Sequence, residues 1–189
     1  MENQVKSLLA GNWLMALCGC FYLAWWIVAF RPPKPQSIPA GWVLLALAFL
    51  TGIAGFYLMG RTLSAPVSEV RSGIRSLWIA AAGAVVYALL LAVTILIFHR
   101  QVTSELLIIT AWTVLELCTL SFLYRCGSLS DGAGLLLAGL VMAATVGSLV
   151  CYLLYYRLPY TAGFVDGCIP LALAVITIAL INLTAARTI

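Results

Sequence analysis

Residues 106–124 read LLIITAWTVLELCTLSFLY, and Glu116 is the one charged side chain in the run. A hydrocarbon core of about 30 Å is crossed by about 20 apolar helical residues, so this stretch has the length of a membrane span. A carboxyl group near the middle of such a span is costly and by default marks a functional position. Protonated, the same side chain would instead serve as an interhelical hydrogen-bond donor, so a structural role stands beside the functional one.

Five further runs of similar character flank this one, at 13–30, 41–59, 77–98, 133–156 and 168–186. Hydrophobic residues make up 64% of the chain and charged residues 8%, which leaves too little polar surface for a water-soluble fold. The expected fold is all-α: residues 1–189 form one six-helix transmembrane domain of a polytopic integral membrane protein. Short connections at 99–105, 125–132 and 157–167 predict that the six helices are arranged as three antiparallel hairpins. Between the first two spans, Arg31-Pro32-Pro33-Lys34-Pro35 cannot continue a helix, because proline lacks a donor and fixes φ. The first eleven residues lack a basic n-region and a small-residue cleavage site, so the first run is expected to be retained as a span. A net charge of +4 scattered over loops points to the lipid bilayer as partner and to no nucleic-acid footprint.

The connection 60–76 is the longest. Val67, Val70, Ile74 and Leu77 recur there at helical spacing, with Arg71 and Arg75 one turn apart, which predicts a short amphipathic helix on the membrane surface. Lys6, Arg61, Arg71, Arg75, Arg125 and Arg187 fall on the side of the N-terminus, against Arg31, Lys34, Arg100 and Arg157 opposite. The excess predicts a cell-membrane protein with both termini cytoplasmic.

Small residues four apart mark three expected packing seams: Ala16, Cys20 and Ala24 in the first span, Ala80, Ala84, Ala88 and Ala92 in the third, Gly139, Ala143 and Gly147 in the fifth. The same faces would serve a homodimer. Thr145, Ser148 and Tyr152 lie roughly opposite the fifth-span seam. The six cysteines form no CxxC pair, and with a single histidine, His99, no metal-ligand cluster is expected. No Ser/His/Asp set, P-loop or dinucleotide fingerprint is present, so neither catalytic residues nor a cofactor are expected.

Near half depth, each span contributes a polar side chain: Tyr22, Thr51, Tyr87, Glu116, Thr145 and Thr177. Trp112, Thr113 and Thr119 share the helical face of Glu116. The expected ligand site is therefore Glu116, Trp112, Thr113, Tyr87, Thr145 and Tyr22, where an organic cation would use both carboxylate and indole face. Threonines that bond back to their own helix need no ligand. A second concentration, Trp25, Trp26, Phe30, Trp42, Tyr155, Tyr156, Tyr160 and Phe164, forms an aromatic rim at one end, where an interfacial belt also belongs.

These features predict a small membrane protein that binds or transports a small molecule at mid-depth. In size, span count and the first-span seam Ala16, Cys20 and Ala24, the chain is similar to the membrane-embedded substrate-binding subunits of energy-coupling-factor vitamin transporters. That resemblance implies a partner subunit within a larger transporter. Two other readings stand beside it: a non-catalytic accessory or sensory membrane subunit, and a quinone-linked or cysteine-linked redox protein using Cys18, Cys20 or Cys118.

Overall fold

The computed structural model describes residues 2–32, 39–66, 70–99 and 103–187. They form six long helices: α1 Glu2–Phe30, α2 Pro39–Ser64, α3 Ser76–Leu96, α4 Ser104–Arg125, α5 Asp131–Leu154 and α6 Tyr160–Ala186. A single 3-10 turn, Tyr155–Arg157, follows α5. All six helices are long and apolar enough to cross a membrane, as in a multi-pass membrane protein.

Two helices start well before their apolar runs. α1 begins eleven residues ahead of Trp13, because Val5, Leu8, Leu9, Asn12 and Ala16 recur at helical spacing and are all buried. The Lys6 ammonium donates to the Glu2 carboxylate at 2.5 Å across one turn of the same helix, which adds local support. α6 begins at Tyr160 and carries Pro170 in its interior. Proline inside a helix removes one backbone hydrogen bond, a loss that membrane-spanning helices tolerate.

The helices pack in the order α2, α1, α6, α5, α4, α3, an open arc that lighter contacts of α4 with α2 and α6 draw together. Along α1 and α2 the contacts run in opposite senses: Ser7 meets Thr62, Gly11 meets Gly55 and Met59, and Gly41 meets Trp25. The apolar core collects one end of every helix but α3. Val5, Leu8 and Leu9 of α1 meet Met59 of α2, Phe122 and Leu123 of α4, Leu137 and Val141 of α5, and Ile181 and Ala185 of α6. At the opposite end α1 has no buried residue beyond Ala16, and its aromatic side chains make the contacts: Trp25 meets Gly41 of α2, and Trp26 meets Phe164 and Gly167 of α6.

Two expectations are corrected here. The connection after α2 carries no surface helix among its described residues 70–75, and Val67 lies outside the described residues. The segment is instead held by hydrogen bonds along the end of α4. The amides of Val70 and Arg71 donate to the Arg125 carbonyl at 2.9 and 3.1 Å, and Ser121 Oγ donates to the Ile74 carbonyl. Arg71 donates to the Leu129 carbonyl at 2.9 Å and to Asp131 at 3.1 Å, and lies over the Tyr124 ring. Backbone carbonyls left free at a helix end outcompete an amphipathic helix for these donors.

The small-residue seams are the second correction. Ala80, Ala84, Ala88, Gly139, Ala143 and Cys20 are exposed, Ala24, Ala92 and Gly147 are half-buried, and Ala16 is buried; of the α5 seam Gly147 alone meets a neighbour, Leu173 of α6. α3 packs on α4 through the adjacent face of Ile79, Gly83, Tyr87 and Thr94, with Gly83 against Val114. On α5 the hydroxyl face is the inner one: Thr145, Ser148 and Tyr152 are buried with Leu137, Val141 and Cys151.

Candidate functional site

The helix that carries Glu116 presents it to the interior, nine residues from the α4 end at Arg125, or about 14 Å at 1.5 Å per residue. The side chain is completely buried. Asn12 of α1 donates from Nδ2 to Glu116 Oε2 at 3.3 Å and from the same nitrogen to Asn182 Oδ1 of α6 at 3.1 Å. Three helices are thus tied at one level by side chains that no water reaches. The clamp leaves Glu116 Oε1, Asn12 Oδ1 and Asn182 Nδ2 without a partner among the described residues. Two acceptors and one donor remain directed into a dry interior, where an unsatisfied group costs about 1–3 kcal/mol. Such groups call for a bound species or a proton.

Thr113 of α4 and Thr145 of α5 come next along the same interior, their hydroxyl oxygens 2.7 Å apart. Each hydroxyl also lies at donating distance from its own helix, Thr113 to the Ile109 carbonyl and Thr145 to the Val141 carbonyl, both at 2.8 Å. Two hydroxyl protons therefore serve three contacts, so one of the three must lapse at any moment. Trp112 is half-buried against the core, and its Nε1–H has no partner among the described residues.

Beyond the threonines, α1, α4, α5 and α6 line a cavity of about 120 Å³. Tyr22, Glu105, Ser148, Tyr152 and Asp166 supply its polar lining. Asp166 is 7% exposed, and the Cys151 thiol hydrogen-bonds its carboxyl group. Glu105 accepts from the Thr103 hydroxyl at 2.6 Å. The Tyr152 hydroxyl is buried and without a partner among the described residues. The cavity thus carries two carboxyl groups, Glu105 and Asp166, and Thr113, Thr145 and the buried Glu116 lie deeper in the bundle without lining it.

Of the six residues expected to form a site, Glu116, Trp112, Thr113 and Thr145 share this interior, and Tyr22 lines the cavity. Tyr87 is placed elsewhere, on the α3 face against α4. The α4 residues that meet α3, Val114 and Cys118, point about 200° round the helix from Glu116. Of the other mid-depth residues, Thr51 donates to the Leu47 carbonyl of its own helix at 2.7 Å, and Thr177 is buried on α6.

Asn12, Asn182, Glu105 and Asp166 are interior or cavity residues that the sequence reading passed over. Asn12 and Asp166 lay in stretches assigned to the N-terminal lead and a loop, and Glu105 lay one residue outside its span. Asn182 carried a direct signal, a side-chain amide inside an apolar run, yet it fell away from the span centre. The three cysteines of the redox reading point three ways: Cys18 toward Gly52 of α2, Cys20 to the outer surface, and Cys118 to the Ser76 carbonyl at 3.6 Å. No protein-family model, curated protein or solved structure matches the chain.

Proposed function

We propose that this protein binds a small molecule in the cleft between α1, α4, α5 and α6 and moves it across the bilayer, with Glu116 as the group that the ligand or a proton engages. The observation that carries the reading is the clamp: a fully buried carboxyl with one oxygen held by Asn12 and the other free of protein partners among the described residues. In this reading six helices cross the cell membrane as three antiparallel hairpins, with both termini in the cytoplasm. The Asn12–Glu116–Asn182 level then seals the cytoplasmic half, and the cavity lies on the other side of it. Parting the clamp while that cavity closes would expose the site to the cytoplasm, the alternation that transport requires. The resemblance to vitamin-transporter binding subunits would add an energy-supplying partner subunit.

The test is paired. A ligand that favours the native state raises its apparent stability, so a thermal-shift screen of the purified protein in lipid identifies ligands. Glu116→Gln keeps shape and removes the ionisable group; it should fold, and the ligand response or its pH dependence should change. Glu116→Leu should also fold, since leucine is preferred at that depth. An unaltered ligand response in Glu116→Gln together with a less stable Glu116→Leu would leave Glu116 a purely structural bridge.

A second reading, an accessory subunit, draws on a different surface. An apolar groove of about 1160 Å³ runs along α1 and α2 from Trp42 to Arg61 and Ser64, nearly the length of α2. A partner helix seated there would copurify in mild detergent, and Phe49→Trp and Ile53→Trp, which fill the groove, should release it.

A further inference from the structure

Above the carboxyl-lined cavity the chain builds a second chamber that neither the clamp nor the cleft floor requires. Trp26, Phe30, Tyr155, Tyr156, Tyr160 and Phe164 line about 240 Å³ at the end away from the apolar core. The walls are braced. Trp26 Nε1–H donates to the Phe164 carbonyl at 3.1 Å, and the Tyr160 hydroxyl donates to the Phe30 carbonyl at 2.8 Å. The rings also contact each other, with centroids 4.5 Å apart for Trp26 and Phe30 and 6.3 Å for Trp26 and Tyr155. An interfacial belt needs aromatic side chains at the right depth, but it does not need them to enclose a volume or to be tied across three segments of chain.

The chamber and the cavity below it share Trp26 and Tyr155 as common walls. Asp166 and Glu105 line the lower one, and neither Arg31 nor Arg157, the described cations of this end, lines either. The buried Tyr152 hydroxyl, without a partner among the described residues, lies on the lower lining. Aromatic faces present negative potential to a cation, most strongly when the cation is desolvated. Aromatic walls above carboxyl groups, with a hydroxyl left over, select one chemistry. Cavities of this volume suit a ligand below the usual range of about 300–1,000 Å³.

We propose that this two-storey vestibule is the recognition site for a small organic monocation bearing a methylated ammonium group and a short polar tail. The ammonium group is held among the rings above Asp166, and the polar tail bonds the Tyr152 hydroxyl. The proposal rests on the cleft reading and names its ligand class.

Calorimetric titration of the full-length protein in nanodiscs with choline is the direct test. The control is the uncharged isostere in which carbon replaces the ammonium nitrogen. Choline should bind saturably, and the isostere should bind at least about tenfold more weakly. Asp166→Asn should weaken choline by about tenfold or more, because it removes the charge under the ammonium. Tyr155→Phe should bind as wild type does, whereas Tyr155→Leu should lose affinity. Equal binding of choline and its isostere, or binding of neither, overturns the proposal without any variant. Glu116→Gln separates it from the cleft reading. Choline binding kept in that variant, with no Glu116-dependent transport of any compound, keeps the vestibule and removes the transporter. A Glu116-dependent ligand that is neutral or anionic keeps the transporter and removes this ligand class.

Discussion

Asn12 donates from one amide nitrogen to both Glu116 and Asn182, so this level of the bundle depends on a single side chain of α1. Replacing it with leucine preserves bulk but removes the donor that Glu116 has among the described residues. Interhelical hydrogen bonds in membranes average about 0.6 kcal/mol and reach about 1.7. A double-mutant cycle between Asn12→Leu and Glu116→Leu should therefore give a coupling energy within about 0.6–1.7 kcal/mol, read from unfolding in mixed detergent. The control cycle between Tyr87→Leu and Glu116→Leu should give none, since Tyr87 packs between α3 and α4. Similar coupling in both cycles would mean the clamp is not a local bond. At this scale the sequence was half legible. A lone carboxylate in an apolar run announces itself, because nothing in the bilayer solvates it. The partners did not, because an amide close to a loop reads as loop until the helix is known to extend past it.

At the scale of the element, α1 and α2 cross closest where glycine meets glycine. A Cβ built on Gly55 would lie 2.8 Å from the Gly11 carbonyl oxygen and 3.1 Å from the Met15 nitrogen. Both obstacles are backbone and cannot rotate away, so Gly55→Ala should destabilise the bundle by about 1–3 kcal/mol, the usual cost of overpacking. Ala84→Leu on α3 and Gly139→Leu on α5 point outward and should leave unfolding within about 0.5 kcal/mol of wild type. Loss of stability in those two, with none in Gly55→Ala, would restore the seams as the contact faces. The four-residue spacing of small side chains was visible in the letters, but which face it lined was not. In lipid an alanine is as content outside as inside, so periodicity alone cannot orient a helix that is apolar all round. The hydroxyl face of α5 was the better guide: Thr145, Ser148 and Tyr152 are all buried, and Thr145 meets Thr113 of α4 there.

For the whole molecule, class and span count were legible because hydropathy and helix length are set by the bilayer itself. The asymmetry was not. Tight packing at one end and a chamber at the other arise from where six helices diverge, which no single run encodes. The asymmetry makes a directional prediction for single cysteines introduced into a cysteine-free variant. Charged thiol reagents that cannot cross membranes should fail to label the exposed position Ser64→Cys in intact cells and should label Arg31→Cys, with the termini cytoplasmic as the basic residues predict. Ser148→Cys, on the cavity lining, should be labelled by a small charged reagent from the Arg31 side and protected by a vestibule ligand. Thr119→Cys lies one turn past Glu116 toward the core and should be labelled from neither side. Labelling of Ser64→Cys but not Arg31→Cys would invert the molecule and leave the cavity intact. Labelling of Thr119→Cys from the terminal side would mean that the clamp and the packed core behind it do not close that end, and the alternating cleft would have no seal.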